Sequence, residues 1–236
     1  MSIIQNISDL RKRISLACAK AGRDPASITV IAVSKGRVVE QIREVVTSGI
    51  VDIGENKVQE ALVKNQQLTG LEVSRSQGLK VCLHMVGHLQ SNKVREAVQI
   101  FDLIHSVDSI HLAQEIDKHA AKINKVQDIL LEVKTSLEVT KSGLKPEDVI
   151  EAVRQISELK NIRIMGLMTI APPVDNPEEA RQYFKQLIEL RDELLKMRLG
   201  DFETLRHLSM GMTNDFEVAI EEGATMVRIG RAIFGG

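Results

Sequence analysis

A chain of 236 residues, 43% hydrophobic and 27% charged, carries enough apolar material for one large α/β barrel or two small domains. Its formal net charge of −1, without a block of like charge, excludes the basic stripe of a nucleic-acid binder. Cys18 and Cys82, the only cysteines, cannot build a disulfide framework or a zinc site, and no stretch approaches the ~20 apolar residues of a membrane helix. The expected setting is the reducing cytoplasm, with no membrane and no nucleic acid as partner.

Apolar residues at 7, 10, 14, 17 and 21 predict a helix over Ile7–Ala21, stopped by Gly22. The run Ile28–Lys35 (I-T-V-I-A-V-S-K) is short, β-branched and without helical period, so it reads as a buried parallel strand that ends in an amine. A helix over Val38–Ser48 and a strand over Ile50–Gly54 follow, the latter leading into Glu55 and Asn56, then a helix over Lys57–Leu68. Ser74–Gly78 reads as an irregular, mobile loop. Strands are then expected over Leu79–Val86, Phe101–Val107, Asp128–Val133, Ile162–Ile170, Thr204–Met210 and Met226–Ile229. Between them lie helices over Asn92–Val98, Ile110–Ile123, Pro146 to about Leu159, and Pro177 to about Arg198, the last expected to be the longest. Asn214 with Glu217 resembles a capping box for the next helix, ended by Gly223, and a last turn spans Gly230–Phe234.

Eight strands alternating with helices, with no linker or composition break, predict a single-domain (β/α)8 barrel over residues 1–236, the first helix standing in for the one missing after strand eight. A doubly wound open sheet is the rival. In a barrel the carboxyl ends of all strands meet at one mouth, which gathers Lys35, Asn56, His88, Asp108, Lys134, Thr169, Ser209 and Arg228. The loops after strands seven and eight are where barrels hold phosphate, and here they read S-M-G-M-T-N-D (209–215) and R-I-G-R (228–231). Gly211 and Gly230 let amides approach an anion, while Ser209 and Thr213 bring hydroxyls.

A lysine on strand one beside a phosphate site on strands seven and eight points to pyridoxal 5'-phosphate (PLP), the amine forming a Schiff base and the loops anchoring the phosphate. The bland reading of Lys35 is a surface lysine capping a strand. Arg228 either meets the ring nitrogen, which it cannot protonate, or clamps a phosphate or carboxylate. The candidate cofactor-binding set is Lys35, Asn56, Ser209, Thr213, Arg228, Gly230 and Arg231.

Seven motifs occur in order: A-V-S-K (32–35), G-E-N-x-V-Q-E (54–60), G-H-L-Q-S-N-K (87–93), T-S-x-E-x-x-K-S-G (135–143), G-L-M-T-I (166–170), L-S-M-G-M-T-x-D (208–215) and V-R-I-G-x-A-I-F-G (227–235). Together they resemble the pyridoxal-phosphate homeostasis protein family (the proline synthetase co-transcribed group), similar to the barrel domain of bacterial alanine racemase. The resemblance runs from about residue 7 to the C-terminus. It implies a one-domain barrel with PLP on Lys35, a role in vitamin B6 homeostasis and no established turnover. The pattern is departed from at Gly36 and Val38, where the family has Thr and a nearby Pro, at Lys134, usually Asn, and at Arg231, usually a small hydroxyl residue. Glu132 and Lys134 share a strand face and are candidates to pair.

The rival enzyme reading is a PLP-dependent amino-acid racemase or lyase. Resemblance to alanine racemase implies a second base, a tyrosine from another domain, and Tyr183 is the only tyrosine, in a helix between strands six and seven. Chemistry by Lys35 with help from His88 or Glu132 stays open. A further rival is a barrel acting on a phosphorylated small molecule without PLP. His84 and His88 are four residues apart, roughly 13 Å on an extended strand, too far to share a metal, so no metal is expected. The methionines at 165, 168, 210, 212 and 226 read as core filler. A monomer or weak dimer that hands PLP to apo PLP-dependent enzymes completes the expectation, with no catalytic residue assigned.

Overall fold

The structure, a computed structural model, describes residues 2–68, 80–136, 142–197 and 205–235. The strands are β1 (Thr29–Val33), β2 (Asp52–Glu55), β3 (Cys82–Met85), β4 (Leu103–Val107), β5 (Gln127–Glu132), β6 (Ile162–Met168), β7 (His207–Ser209) and β8 (Met226–Ile229). All pair in parallel in sequence order and close, β1 lying between β2 and β8 with Ala32 opposite both Ile53 and Ile229. The helices are α1 (Ile3–Lys20), α2 (Val39–Thr47), α3 (Val58–Leu68), α4 (Val94–Ile100), α5 (Ile110–Ala121), α6 (Val149–Ser157), α7 (Arg181–Lys196), α8 (Phe216–Glu221) and α9 (Arg231–Phe234). The barrel expectation holds.

Two apolar clusters explain how the sequence builds this arrangement. Within the barrel, Ile31, Val86, Leu103, Leu130, Met165, Met168 and Met226 pack together, joined by Val33 and Ile170. Between barrel and helices a larger cluster takes the alternate residues, such as Ala32, Ile53 and Val227, with the stripe Ile3, Ile7, Leu10, Ile14 and Ala17 of α1. Alternation along a strand therefore sorts each residue to one layer or the other. Burying each such Leu or Ile contributes about 1.5–3 kcal/mol.

The first helix starts four residues earlier than its stripe suggested, because Ser2 caps it by accepting from the Gln5 amide at 3.2 Å. It closes the helical ring as expected: Asn6 Nδ2 donates to the Ile233 carbonyl at 2.9 Å, and Arg13 pairs with Glu217 of α8 at 2.6 Å.

Three local expectations are corrected. Pro146 and Pro177 open 3-10 turns (Pro146–Asp148 and Pro177–Ala180), and the α-helices begin after them; α1, with 18 residues, is longer than α7, with 16. The residue capping α8 is Asp215, not Asn214, and its carboxylate reaches back to the Met212 amide at 2.6 Å. Met165, Met168, Met210 and Met226 are core residues, but Met212 is exposed. The Ser74–Gly78 loop, the helix end near Arg198, the strand starts at Leu79 and Thr204, and residues 137–141 of the stretch after β5 lie outside the described residues.

Candidate functional site

Lys35 follows β1 in a tight turn closed by the Arg37 amide donating to the Ser34 carbonyl at 3.0 Å. Ile31 and Val33 face the barrel interior, so Lys35 continues the inward parity, and Ser34 faces the helices with Ala32. Lys35 is exposed, and among the described residues its amine pairs with no other group. Gly36 sits at φ +70°, a left-handed conformation that costs glycine little, which gives a physical reason for glycine at a position where Thr is usual in the resembling family.

The back of this turn is gripped by charge. Buried Lys64 of α3 donates to the Ser34 carbonyl at 2.6 Å, to Glu55 at 2.6 Å and to Glu60 at 2.7 Å. The Ser34 hydroxyl donates to the same Glu55 oxygen, and Glu60 accepts from the Gly36 amide at 2.6 Å. Burial pushes the Glu55 carboxyl up, opposed by its bonds to Lys64 and Ser34. At Glu60 burial also pushes upward, but Lys64 and the Gly36 amide outweigh it and the carboxyl lies below its ordinary value. The G-E-N-x-V-Q-E motif thus supplies both carboxylates that hold the Lys35 turn. Lys64 was missed by sequence reasoning; its signal was the Glu60–Lys64 spacing of four on a helix.

Asn56 follows β2, and its Oδ1 is buried without a hydrogen-bond partner. The chain after β3 crosses close over it: a Cβ on Gly87 would lie 2.7 Å from the Asn56 Cα. An unpaired buried acceptor at a barrel mouth is a place for a donor from a ligand.

On the far side of β1 lie the loops after β7 and β8. Gly230 caps α9 and packs beside Val33, where a Cβ would lie 3.5 Å from the Val33 carbonyl oxygen. The first amides of α9 therefore sit next to the strand that carries Lys35, and the half-buried Thr213 lies in the loop after β7. The Met212 amide is already taken by Asp215, whose carboxyl is pushed up by burial, with that amide opposing. Arg231 is exposed and donates to Asn214 Oδ1 at 3.3 Å.

Arg228 is 4% exposed and points inward beneath the mouth, at the level of Ile31. It donates to Ser209 Oγ at 2.7 Å and to the Thr169 carbonyl at 2.8 Å. Burial pulls its pKa down to about 10, so it stays cationic at neutral pH, helped by Asp215 and Glu132. Ser209, expected among the phosphate ligands, is fully buried with its hydroxyl engaged by Arg228 and by His105 Nδ1 at 2.9 Å. Glu132 faces the mouth and accepts from Ser142 at 3.2 Å; burial pushes its carboxyl up. His88 lies 3.3 Å from Asp108, at the ends of β3 and β4. Tyr183 is in α7, in the outer ring as expected. His84, weighed in the sequence only against His88, instead meets His105 of the next strand, ring nitrogen to ring nitrogen at 2.9 Å. A surface groove of about 1000 Å3 runs along α1 beside Ile4, Lys12 and Leu16, away from the strand ends.

The model of the alanine racemase N-terminal domain matches residues 5–236. The pyridoxal phosphate homeostasis protein of Aquifex aeolicus is 44% identical, the match covering 100% of this chain and 98% of that one. That of Pseudomonas aeruginosa is 39% identical, covering 99% and 95%. PipY of Synechococcus elongatus, solved with PLP bound, is 36% identical and superposes with a TM-score of 0.84 over 99% of this chain and 100% of that one. Among the described residues no helix is long and apolar enough to cross a membrane. On a closed eight-stranded parallel barrel, these matches place the chain in the pyridoxal phosphate homeostasis protein family, on the alanine racemase N-terminal fold.

Proposed function

We propose that the protein binds PLP at the barrel mouth through a Schiff base on Lys35 and serves intracellular PLP homeostasis. The observation that carries this reading is the adjacency of an unpaired amine after β1 and the Gly230 turn after β8, across a pair of hydrogen-bonded strands. PLP supplies an aldehyde that condenses with an amine and a phosphate that needs amide and hydroxyl donors. Thr213 and the Gly230–Arg231 amides take the phosphate, Asn56 Oδ1 accepts at the mouth, and Arg228 faces the ring nitrogen with Ser209 supporting it from beneath. Arg231 adds positive charge near the phosphate from the rim.

Two features favour holding over turnover. Tyr183 packs into the outer layer between barrel and helices. A buried guanidinium at the ring nitrogen discourages protonation there, which weakens the ring as an electron sink. The working unit is taken as a monomer, and it hands PLP to apo PLP-dependent enzymes. The free thiols Cys18 and Cys82 fit the reducing cytoplasm. A second reading, racemase or lyase chemistry, draws on Glu132, a buried carboxyl at the mouth whose raised pKa suits proton transfer.

The test loads the protein with PLP and follows two quantities: delivery of PLP to an apo-enzyme, and α-proton exchange of L- and D-amino acids in deuterated water. The carrier reading expects delivery with slow or undetectable exchange. Exchange at about 1 s⁻¹ or faster, the range of ordinary enzymes, overturns it in favour of the second reading.

A further inference from the structure

A row of polar side chains crosses the barrel interior from its floor to Arg228. Asp52, the first residue of β2, lies at the amino-terminal end of the strands with its side chain 26% exposed. Its Oδ1 is 2.9 Å from His84 Nε2; His84 Nδ1 is 2.9 Å from His105 Nε2; and His105 Nδ1 is 2.9 Å from Ser209 Oγ. Ser209 Oγ in turn lies 2.7 Å from Arg228 Nη1. His84, His105, Ser209 and Arg228 are all buried. Apolar side chains would fill this space at lower desolvation cost, so five connected polar groups in a barrel core call for a role.

Proton counting orients the whole row. Arg228 only donates, so Ser209 Oγ accepts from it. The one hydroxyl proton of Ser209 then finds its acceptor in His105 Nδ1. With Nδ1 accepting, neutral His105 carries its proton on Nε2 and donates to His84 Nδ1, and His84 carries its proton on Nε2 and donates to the Asp52 carboxylate. Reversing the order needs an extra proton on His84 and leaves the Ser209 hydroxyl without an acceptor. Burial, with the Arg228 cation nearby, holds His105 well below the usual imidazole range, in keeping with a neutral ring. His207, the nearby titratable group on β7, is also kept low by burial and by Arg206, with Asp128 opposing.

We propose that Asp52, His84, His105 and Ser209 form a single-sense hydrogen-bond relay that positions the Arg228 guanidinium from the opposite end of the barrel. A cation at one end and an anion at the other polarise every bond in the same direction, so loss of the anion loosens the arginine. These are positioning residues. That Arg228 faces a cofactor ring rests on the PLP reading above; the relay itself does not, and it is tested in cofactor-free protein.

Nitrogen-15 spectra of histidine-labelled, cofactor-free protein should give one protonated nitrogen, Nε2, on both His84 and His105. They should also give a nitrogen–nitrogen scalar coupling across the bond between the two rings. A proton on His105 Nδ1, or no coupling between the rings, overturns the relay. In Asp52→Ala, the Arg228 Nη protons should exchange about tenfold faster, the order expected when a hydrogen bond to a charged group weakens. Unchanged Arg228 exchange in a folded Asp52→Ala variant also overturns it. Should that variant fail to fold, the parent spectra decide alone. PLP addition separates the two proposals: an intact relay without PLP binding defeats only the cofactor reading, and bound PLP with the wrong histidine tautomers defeats only the relay.

Discussion

On the β1–β2 side of the mouth, the Lys35 turn is held from behind by charge: Lys64, Glu55 and Glu60 grip Ser34 and Gly36 and, among the described residues, leave the amine itself unpaired. On the β7–β8 side, Arg228 is held through Ser209 and the Thr169 carbonyl, one bond from each of its two terminal nitrogens. Under the proposed function, the difference follows from what each group is for. An amine that must form a covalent bond needs its backbone fixed and its side chain at liberty, whereas a cation that fixes a ring needs its own direction set. The charged grip lies in the outer layer between barrel and helices, and the neutral chain of histidines lies within the barrel, where each further unpaired charge would cost more.

Breaking the charged grip has the largest expected effect. Lys64→Ala leaves Glu55, 1% exposed, without its cation, and loss of one partner of a buried pair costs about 3–5 kcal/mol. Urea unfolding should report that loss, together with weaker PLP retention because the Lys35 turn is released. Stability within about 0.5 kcal/mol of the parent would mean the cluster does not hold the turn.

The mouth carboxyl Glu132 sharpens the comparison through pH. Its folded pKa is raised by burial, so the folded state binds the proton more tightly than the unfolded chain. Its favourable contribution is fully present below the unfolded carboxyl pKa and is lost as pH rises through the raised value. Glu132→Gln, which mimics the protonated group, should therefore match the parent near pH 4 and exceed it in stability at neutral pH. Denaturant midpoints across that range check the sign; a variant less stable than the parent at neutral pH would show that Arg228 depends on the Glu132 charge.

The smallest effect belongs to the rim. Arg231→Ala removes an exposed side chain whose bond to Asn214 is long, so stability should change by less than about 0.5 kcal/mol. PLP affinity should fall modestly and become less sensitive to salt. Titration of PLP at low and high ionic strength separates this from a loss of folded protein.

Much of the frame was legible in the sequence because barrel strands advertise themselves. Runs such as Ile28–Lys35 and Met226–Ile229 are short, apolar and bounded, and closure then dictates which ends become neighbours. The helix starts were less legible: Pro146 and Pro177 mark where a helical turn begins, but whether that turn is 3-10 or α depends on packing. Lys35 and Arg228 could be found from strand ends and parity. Lys64 could not be placed, since a lysine in a helix ordinarily faces water and only the fold brings it behind Ser34. The histidine row escaped for a related reason. His84 and His105 are 21 residues apart, on adjacent strands, and no spacing rule predicts that inward-facing rings will meet end to end.

The central claim is that the amine after β1 is the attachment point. Intact mass after borohydride reduction of PLP-loaded protein measures it most directly, in the parent and in Lys35→Ala. The account predicts a single pyridoxyl group on each parent chain and none on Lys35→Ala. A pyridoxyl group retained by Lys35→Ala, or absent from the parent, would contradict it.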